Sequence, residues 1–167
     1  MSDAIRLCRA DYAKPGHAQA LVALLDAYAR DPMGGGEGLS DFARTRVVGE
    51  LAKLPQAFSV LAFDGAGDDK PVGLVNCIQG FSTFACKPLV NVHDVAVLGA
   101  YRGQRIAERM LALVETMARE RGACKLTLEV LSGNTAAMRV YARAGFANYE
   151  LDPAAGQARF MQKWLNE

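Results

Sequence analysis

Three groups of side chains in this 167-residue chain could do chemistry. The first is the pair His93-Asp94, set in the largely apolar run 91–98. An imidazole titrates near neutral pH and can take a proton from a nucleophile, with the carboxylate as second base or partner. The plainer role for either is a structural hydrogen bond, since an unpaired buried polar group costs about 1–3 kcal/mol. Simple alternation puts His93 on one face with Val95 and Val97, and Asp94 on the other with Val92 and Ala96. The second group is the loop Gly99-Ala100-Tyr101-Arg102-Gly103-Gln104-Arg105. Arg102 and Arg105 carry permanent positive charge, and Gly103 lets the backbone approach a ligand closely. A loop that opens a helix offers unpaired N–H groups and the positive end of the helix dipole, so it suits phosphate or pyrophosphate. The third is Tyr141, whose phenol holds its proton at neutral pH and could give it to a departing anion. Its alternative is one more aromatic in the core.

The elements that must position these groups follow from periodicity. Residues 91–98 read as a buried strand. Residues 103–121 read as an amphipathic helix, with Ile106, Met110, Leu113, Val114 and Met117 inside and Glu108, Arg109, Glu115 and Arg119 mostly outside. Upstream come a strand at 4–10, a helix at 15–30 with Pro15 in its first turn, and a glycine-rich loop at 32–39. The loop is either a connector or a mobile flap. Ser40 caps a helix over 41–53. Strands at 56–63 and 71–79 flank a polar turn, and 81–88 connects to the central strand. Downstream come a strand at 124–131, a helix at 133–144 capped by Ser132, and two last strands at 146–151 and 157–165. The order predicts one α/β (mixed α+β) domain over 1–167, with helices on both faces of a central sheet.

Two stretches carry a family likeness. Arg102-Gly103-Gln104-Arg105-Ile106-Ala107 resembles the coenzyme-A loop, Q/R-x-x-G-x-G/A, of GNAT-type N-acetyltransferases. Asn134 to Phe146 resembles that superfamily's N-x-x-A-x-x-x-Y-x-x-x-G-F helix. The loop departs at its middle glycine, which is Arg105 here. That position opens a helix, so ordinary helical angles are expected of it. The resemblance implies a mixed, mostly antiparallel sheet and acetyl-CoA as co-substrate. It assigns CoA contacts to Val95, Ala96, Val97, Arg102, Gly103, Gln104, Arg105, Ile106, Ala107, Asn134 and Tyr141. Tyr141 would be the general acid toward the thiolate. His93 and Asp94 fall where polyamine- and thialysine-type members carry Glu-Asp, and would be the base or its network. Phe81-Ser82-Thr83-Phe84 resembles an aromatic-Ser/Thr run of the same relatives. With the acidic Asp31, Glu37 and Asp41 it suggests a small amine acceptor such as a polyamine, amino acid or lysine analogue. A protein lysine or N-terminus is the other acceptor, and a non-catalytic acyl-CoA sensor the other class. By analogy, a homodimer would form through the last strands.

Bulk composition narrows the classes. The formal net charge is +1, which gives no support to nucleic-acid binding through a basic surface. No run of 18 apolar residues and no apolar leader core occurs, so a cytoplasmic protein without membrane contact is expected. Cys8, Cys77, Cys86 and Cys124 are scattered and expected to be free and buried. With two histidines and no paired ligand spacing, no metal is expected.

Overall fold

The computed structural model describes residues 5–68 and 70–165. Its frame is a five-stranded sheet in the order β1 (Ile5–Arg9), β2 (Ala57–Asp64), β3 (Pro71–Ser82), β4 (Lys87–Val97), β5 (Leu126–Leu128). The first four strands pair antiparallel, and β4 pairs β5 in parallel. This is the mixed α/β architecture expected. β2 and β3 are central and read as near-continuous apolar runs because both faces are covered.

Each face has its own core. On one side α1 (Pro15–Arg30) lays Ala20, Leu21 and Leu24 against Leu61, Phe63 and Leu74. On the other, α3 (Ile106–Glu120) buries Ile106, Met110, Leu111, Val114 and Met117 against Phe58, Val60, Val75, Val90 and Val92. Of the expected seam, Ile106, Met110, Val114 and Met117 are buried and Leu113 is half-buried, while Leu111 and Ala118 join the buried face. α4 (Thr135–Arg143) joins this second core through Val140 and Tyr141. α2 (Asp41–Ala52) is capped by Ser40, whose hydroxyl accepts from the Ala43 N–H at 3.1 Å. It buries no residue fully; Val47, Val48 and Leu51 pack partly, while Phe42 is exposed beneath the Arg46 guanidinium.

The glycine-rich segment 32–39 is more ordered than its composition suggests. Asp31 ends α1 in an extended conformation before Pro32, and its carboxylate accepts from the Met33 N–H at 2.9 Å to start a 3-10 turn at Pro32–Gly34. Asp26 fixes the far end, accepting from the Leu39 N–H at 2.8 Å and from Arg30 and Arg44. The Arg30 hydrogen bond and the Leu39 N–H hold its carboxyl below the usual range.

Three expectations fail on the fold. The connector 81–88 is a tight hairpin tip, because β3 runs to Ser82 and β4 starts at Lys87. Its Phe84 is fully exposed, at the opposite end of β4 from the loop 99–105. The strands expected at 146–151 and 157–165 are absent. The described residues there are irregular apart from a 3-10 turn at Pro153–Ala155, and exposed apart from the half-buried Phe146. A strand needs a partnered edge, and β5 is only three residues long. Of the four free cysteines, Cys77 is buried, Cys8 is half-buried, and Cys86 and Cys124 are exposed.

The corner after α1 leaves no room for a side chain. A Cβ on Gly34 would lie 1.9 Å from the Tyr28 carbonyl oxygen. Gly34→Ala is therefore expected to lower stability by about 1–3 kcal/mol, the usual range for overpacking. Urea unfolding measures this, and an unchanged midpoint would show that the corner yields freely.

Candidate active site

The site starts with a break in the pairing of β4. Asn76 pairs with Asp94 while Cys77 pairs with Val92, which leaves His93 as an extra residue in a bulge. The bulge overturns the simple alternation. Val92 lies in the α3-side core, where Val95 and Val97 also pack. Asp94 instead shares the α1 side with Ala96, which packs against the other core. The bulge also marks where β4 leaves β5. Their pairing covers Val90, Asn91 and Val92 and stops there. Beyond it the outer backbone edge of β4 has no strand partner among the described residues. The Leu98 N–H donates inward to the Val72 carbonyl at 2.9 Å, so the Val97 carbonyl before it points out to the open edge.

A cleft of about 900 Å³ fills this divergence. Val95, Ala96 and Val97 form one wall, the loop and first turn of α3 the floor, and α4 the other wall. Arg102, Gly103, Arg105, Ile106, Ala107, Asn134 and Tyr141 all line it, as the sequence reading expects. Gln104, His93 and Asp94 are outside its lining. Additional lining residues not singled out from sequence are Tyr28, Arg139 and the pair Glu108–Arg143.

The floor is built for an anion. Gly103 adopts φ 80°, and no side chain caps the α3 N-terminus. Arg105 does not take helical angles as expected. It is held at φ 57°, ψ 24°, in the left-handed region, which costs an ordinary residue roughly 1–2 kcal/mol. Five arginines line the cleft, Arg30, Arg102, Arg105, Arg139 and Arg143, against the carboxylates of Asp31 and Glu108. The Arg102 Nε donates to the open Val97 carbonyl at 3.1 Å, and its terminal nitrogen pairs with Asp31 at 2.9 Å. The Arg102 hydrogen bond holds the Asp31 carboxyl below its ordinary range. Arg143 donates to Glu108 at 2.6 and 2.9 Å and ties α4 to α3. Burial pushes Glu108 up, but the Arg143 bond, a backbone N–H and the Arg143 and Arg105 charges together outweigh it, and the net shift is downward. Tyr101 anchors the loop by donating to Asp64 at 2.8 Å. Arg105 and Arg139 make no ion pair among the described residues.

The candidate proton-transfer groups differ in setting. Tyr141 is half-buried, with its ring edge-on to Phe146 at 5.9 Å. Burial pushes its phenol up to about 12, and the neighbouring Tyr28 adds to this. Asp94 accepts from the Asn76 side chain at 3.0 Å. Its charge also helps raise Tyr28, after burial, so the two lie near each other on the α1 side. His93 is exposed and hydrogen-bonded to Asn91 at 3.2 Å. Asn134 is the N-cap of α4, its side chain accepting from the Ala137 N–H at 3.1 Å; it takes the role assigned to Ser132. No helix among the described residues is long and apolar enough to cross a membrane.

The model of the acetyltransferase (GNAT) family matches residues 37–146, and the chain belongs to that family. It is therefore an acyltransferase. A streptothricin acetyltransferase of Streptomyces lavendulae is 28% identical over 162 residues, covering 87% of this chain and 84% of its own. The fold resembles a probable acetyltransferase with a TM-score of 0.79 at 21% identity, covering 97% and 99% of the two chains. It also resembles an aminoglycoside N-acetyltransferase in complex with CoA, with a TM-score of 0.72 at 18% identity, covering 95% and 94%.

Replacing Arg105 by glycine removes the left-handed penalty but adds freedom to the unfolded chain, worth about 0.4–1 kcal/mol. Arg105→Gly is expected to gain roughly 0.5 kcal/mol net. It also removes a cation from the cleft, so coenzyme-A affinity falls. Unfolding and calorimetry together check both signs; a destabilised protein would contradict the backbone account.

Proposed function

We propose that this acetyltransferase moves the acetyl group of acetyl-CoA to the primary amine of a small cationic molecule, by direct attack with both substrates bound. The observation that carries the reading is the convergence of three features on one cleft: the open edge of β4 at 95–97, the arginine-rich start of α3, and Tyr141. The residues fit the co-substrate. The α3 N-terminus with Gly103, Arg105 and Arg139 suits phosphates, and the open backbone of Val95 and Val97 suits the amides of a pantetheine arm. Acetyl-CoA supplies an activated thioester when bound. The chain's residues orient, exclude water and manage protons.

The roles follow the settings. A free alkyl ammonium has a pKa near roughly 10.4 and must lose a proton before it can attack. Asp94 is the group we assign to that proton, with His93 as the second acceptor beside it. Two observations favour Asp94: its fixed partner Asn76, and its closeness to Tyr28, which lines the cleft. Tyr141, with its pKa raised to about 12, is a dependable hydrogen-bond donor at any working pH. Full transfer of its proton to a thiolate of ordinary pKa, roughly 8.5, is uphill. Its role is thus to hold a hydrogen bond on the departing sulfur as the C–S bond breaks, while the proton given up by the amine balances the thiolate. The carboxylates Asp31 and Asp94 on the α1 side favour a cationic acceptor. The 28%-identical relative is named for streptothricin rather than for a protein substrate, which supports a small-molecule amine.

The deciding experiment follows thiol release from acetyl-CoA with aminoglycosides, streptothricin-type amines, polyamines, amino acids and lysine peptides. Release with the small polycations and not with peptides is the expected result. Release only with peptides would replace the small-molecule reading, and CoA binding without release on any amine would favour a sensor. On the best acceptor, Tyr141→Phe should lower kcat about 100-fold and leave coenzyme-A affinity within about twofold. Lost affinity with unchanged turnover would end the proposed role of Tyr141.

A further inference from the structure

One polar row crosses the apolar layer between the sheet and α1. Ser59 on β2, Asn76 on β3 and Asp94 on β4 are direct cross-strand neighbours. The next row on the same face is Leu61, Leu74 and Ala96. Ser59 is fully buried and Asn76 is 5% exposed. Tyr12, in the connection between β1 and α1, extends the row with its phenol oxygen 2.8 Å from the Ser59 hydroxyl. That hydroxyl is 2.6 Å from Asn76 Oδ1, and Asn76 Nδ2 is 3.0 Å from Asp94 Oδ2.

The direction of every bond in the row follows from its last member. A carboxylate only accepts, so Asn76 must present its NH₂ to Asp94. Its Oδ1 is then left to accept, and Ser59 must donate to it. Ser59 has one proton, so its oxygen accepts from Tyr12. All three donors therefore point toward Asp94. Only an Asp94 Oδ2 proton directed at Asn76 would demand the reverse: a flipped Asn76 amide, a rotated Ser59 hydroxyl and a Tyr12 proton turned away. Two of those groups are enclosed by close-packed neighbours, so reversal is a concerted rearrangement of the core.

We infer that Tyr12, Ser59 and Asn76 are positioning residues, a one-way relay of hydrogen-bond donors that fixes Asp94 as an oriented carboxylate for a cationic amine acceptor. This rests on the assignment of Asp94 in the proposed function. The relay uses one oxygen of Asp94 and leaves its other lone pairs for the ammonium group. It also explains why a polar row stands where an apolar one would pack without any hydrogen bond to satisfy. The bulge at His93 is its geometric condition, because it turns Asp94 to the α1 side, where Asn76 and Ser59 lie.

The test uses the full chain with Asn76→Ala, Ser59→Ala and Tyr12→Phe, each made with Asp94 intact and with Asp94→Asn. Circular dichroism establishes folding first. Tyr12→Phe keeps the half-exposed ring and carries the test if the buried variants do not fold. With Asp94 intact, kcat should fall about tenfold for Asn76→Ala, less for Ser59→Ala and least for Tyr12→Phe, with KM for acetyl-CoA unchanged. With Asp94→Asn, each substitution should change kcat by less than about twofold. Equal losses in both backgrounds, or a loss for Tyr12→Phe larger than for Asn76→Ala, would overturn the relay.

A second readout does not depend on turnover. The ¹³C signal of the Asp94 carboxyl should move in its titration midpoint in Asn76→Ala, and by less in Ser59→Ala. The titratable group facing Asp94 is Tyr28 on α1; Cys77 lies on the opposite face of β3 but close enough to feel its charge, and His93 is beside it on β4. Tyr28 and Cys77 have raised values and stay neutral through the acid range, and the His93 imidazole is followed in the same experiment. An unmoved Asp94 titration overturns the relay. Unchanged kcat in Asp94→Asn alone overturns the assignment of Asp94 as base, and the titration then still decides whether the relay exists.

Discussion

The structure depends on the point where β4 parts from β5. Two strands that stay paired would close the sheet and leave no edge for a ligand. Here the parallel pairing lasts three residues and ends at Val92, next to the bulge at His93. The consequences all run from that break. The backbone of 95–97 keeps an open edge, and the cleft occupies the gap. The two faces of β4 are re-dealt, so that Asp94 joins the α1 side. The strand then delivers the chain into the arginine loop at the correct end of α3. A bulge is thus both the device that opens the site and the one that aims its carboxylate.

Electrostatics then divides the cleft. Its floor is cationic, but the arginines are not equally available. Arg143 is committed to Glu108 and keeps α4 on α3. Arg102 spans the cleft mouth, bound at once to the Val97 carbonyl and to Asp31. These are the groups that a pantetheine arm and a phosphate would compete for. Arg102 thus satisfies an open backbone acceptor and pairs with the Asp31 carboxylate. Coenzyme-A binding on this view exchanges those contacts instead of filling a bare site. Arg105 and Arg139 are the cations with no ion pair to exchange among the described residues. The left-handed backbone of Arg105 is a local penalty at a ligand-facing position, the setting in which such strain is commonly found.

How much of this could be read from the sequence depends on the range of the signal. Strands and helices through residue 128 are legible because burial imposes period two or 3.6 on neighbouring residues. The anion loop is legible because Arg102, Gly103 and Arg105 are contiguous. What fails is what needs a partner or a choice among equals. The apolar run 91–98 carries no mark saying which residue bulges, so simple alternation groups Asp94 with Val92, which lies on the other face. Ser132 and Asn134 are both good caps, and only the geometry of the turn selects Asn134. The pattern at 157–165 alternates like a strand, but alternation does not create an edge to pair with. The polar row is invisible in one dimension, since its members stand 47, 17 and 18 residues apart.

The two proton-handling sides of the site are shaped by opposite means. Tyr141 is surrounded by apolar neighbours with Tyr28 close by, and burial makes its proton hard to remove. Asp94 is at the end of a row of donors that point toward it. Tyr28 lies near enough to both for its own phenol to be raised, by burial first and by Asp94 next. On the proposed roles, an amine that enters between them would meet a carboxylate on the α1 side and a phenol on the α4 side. Acetyl transfer to an ammonium substrate needs that polarity, because a proton must leave the nitrogen on one side while negative charge grows on sulfur at the other. The sheet supplies it through position alone: Asp94 lies on β4 facing α1, and Tyr141 lies on the helix that closes the gap beyond it.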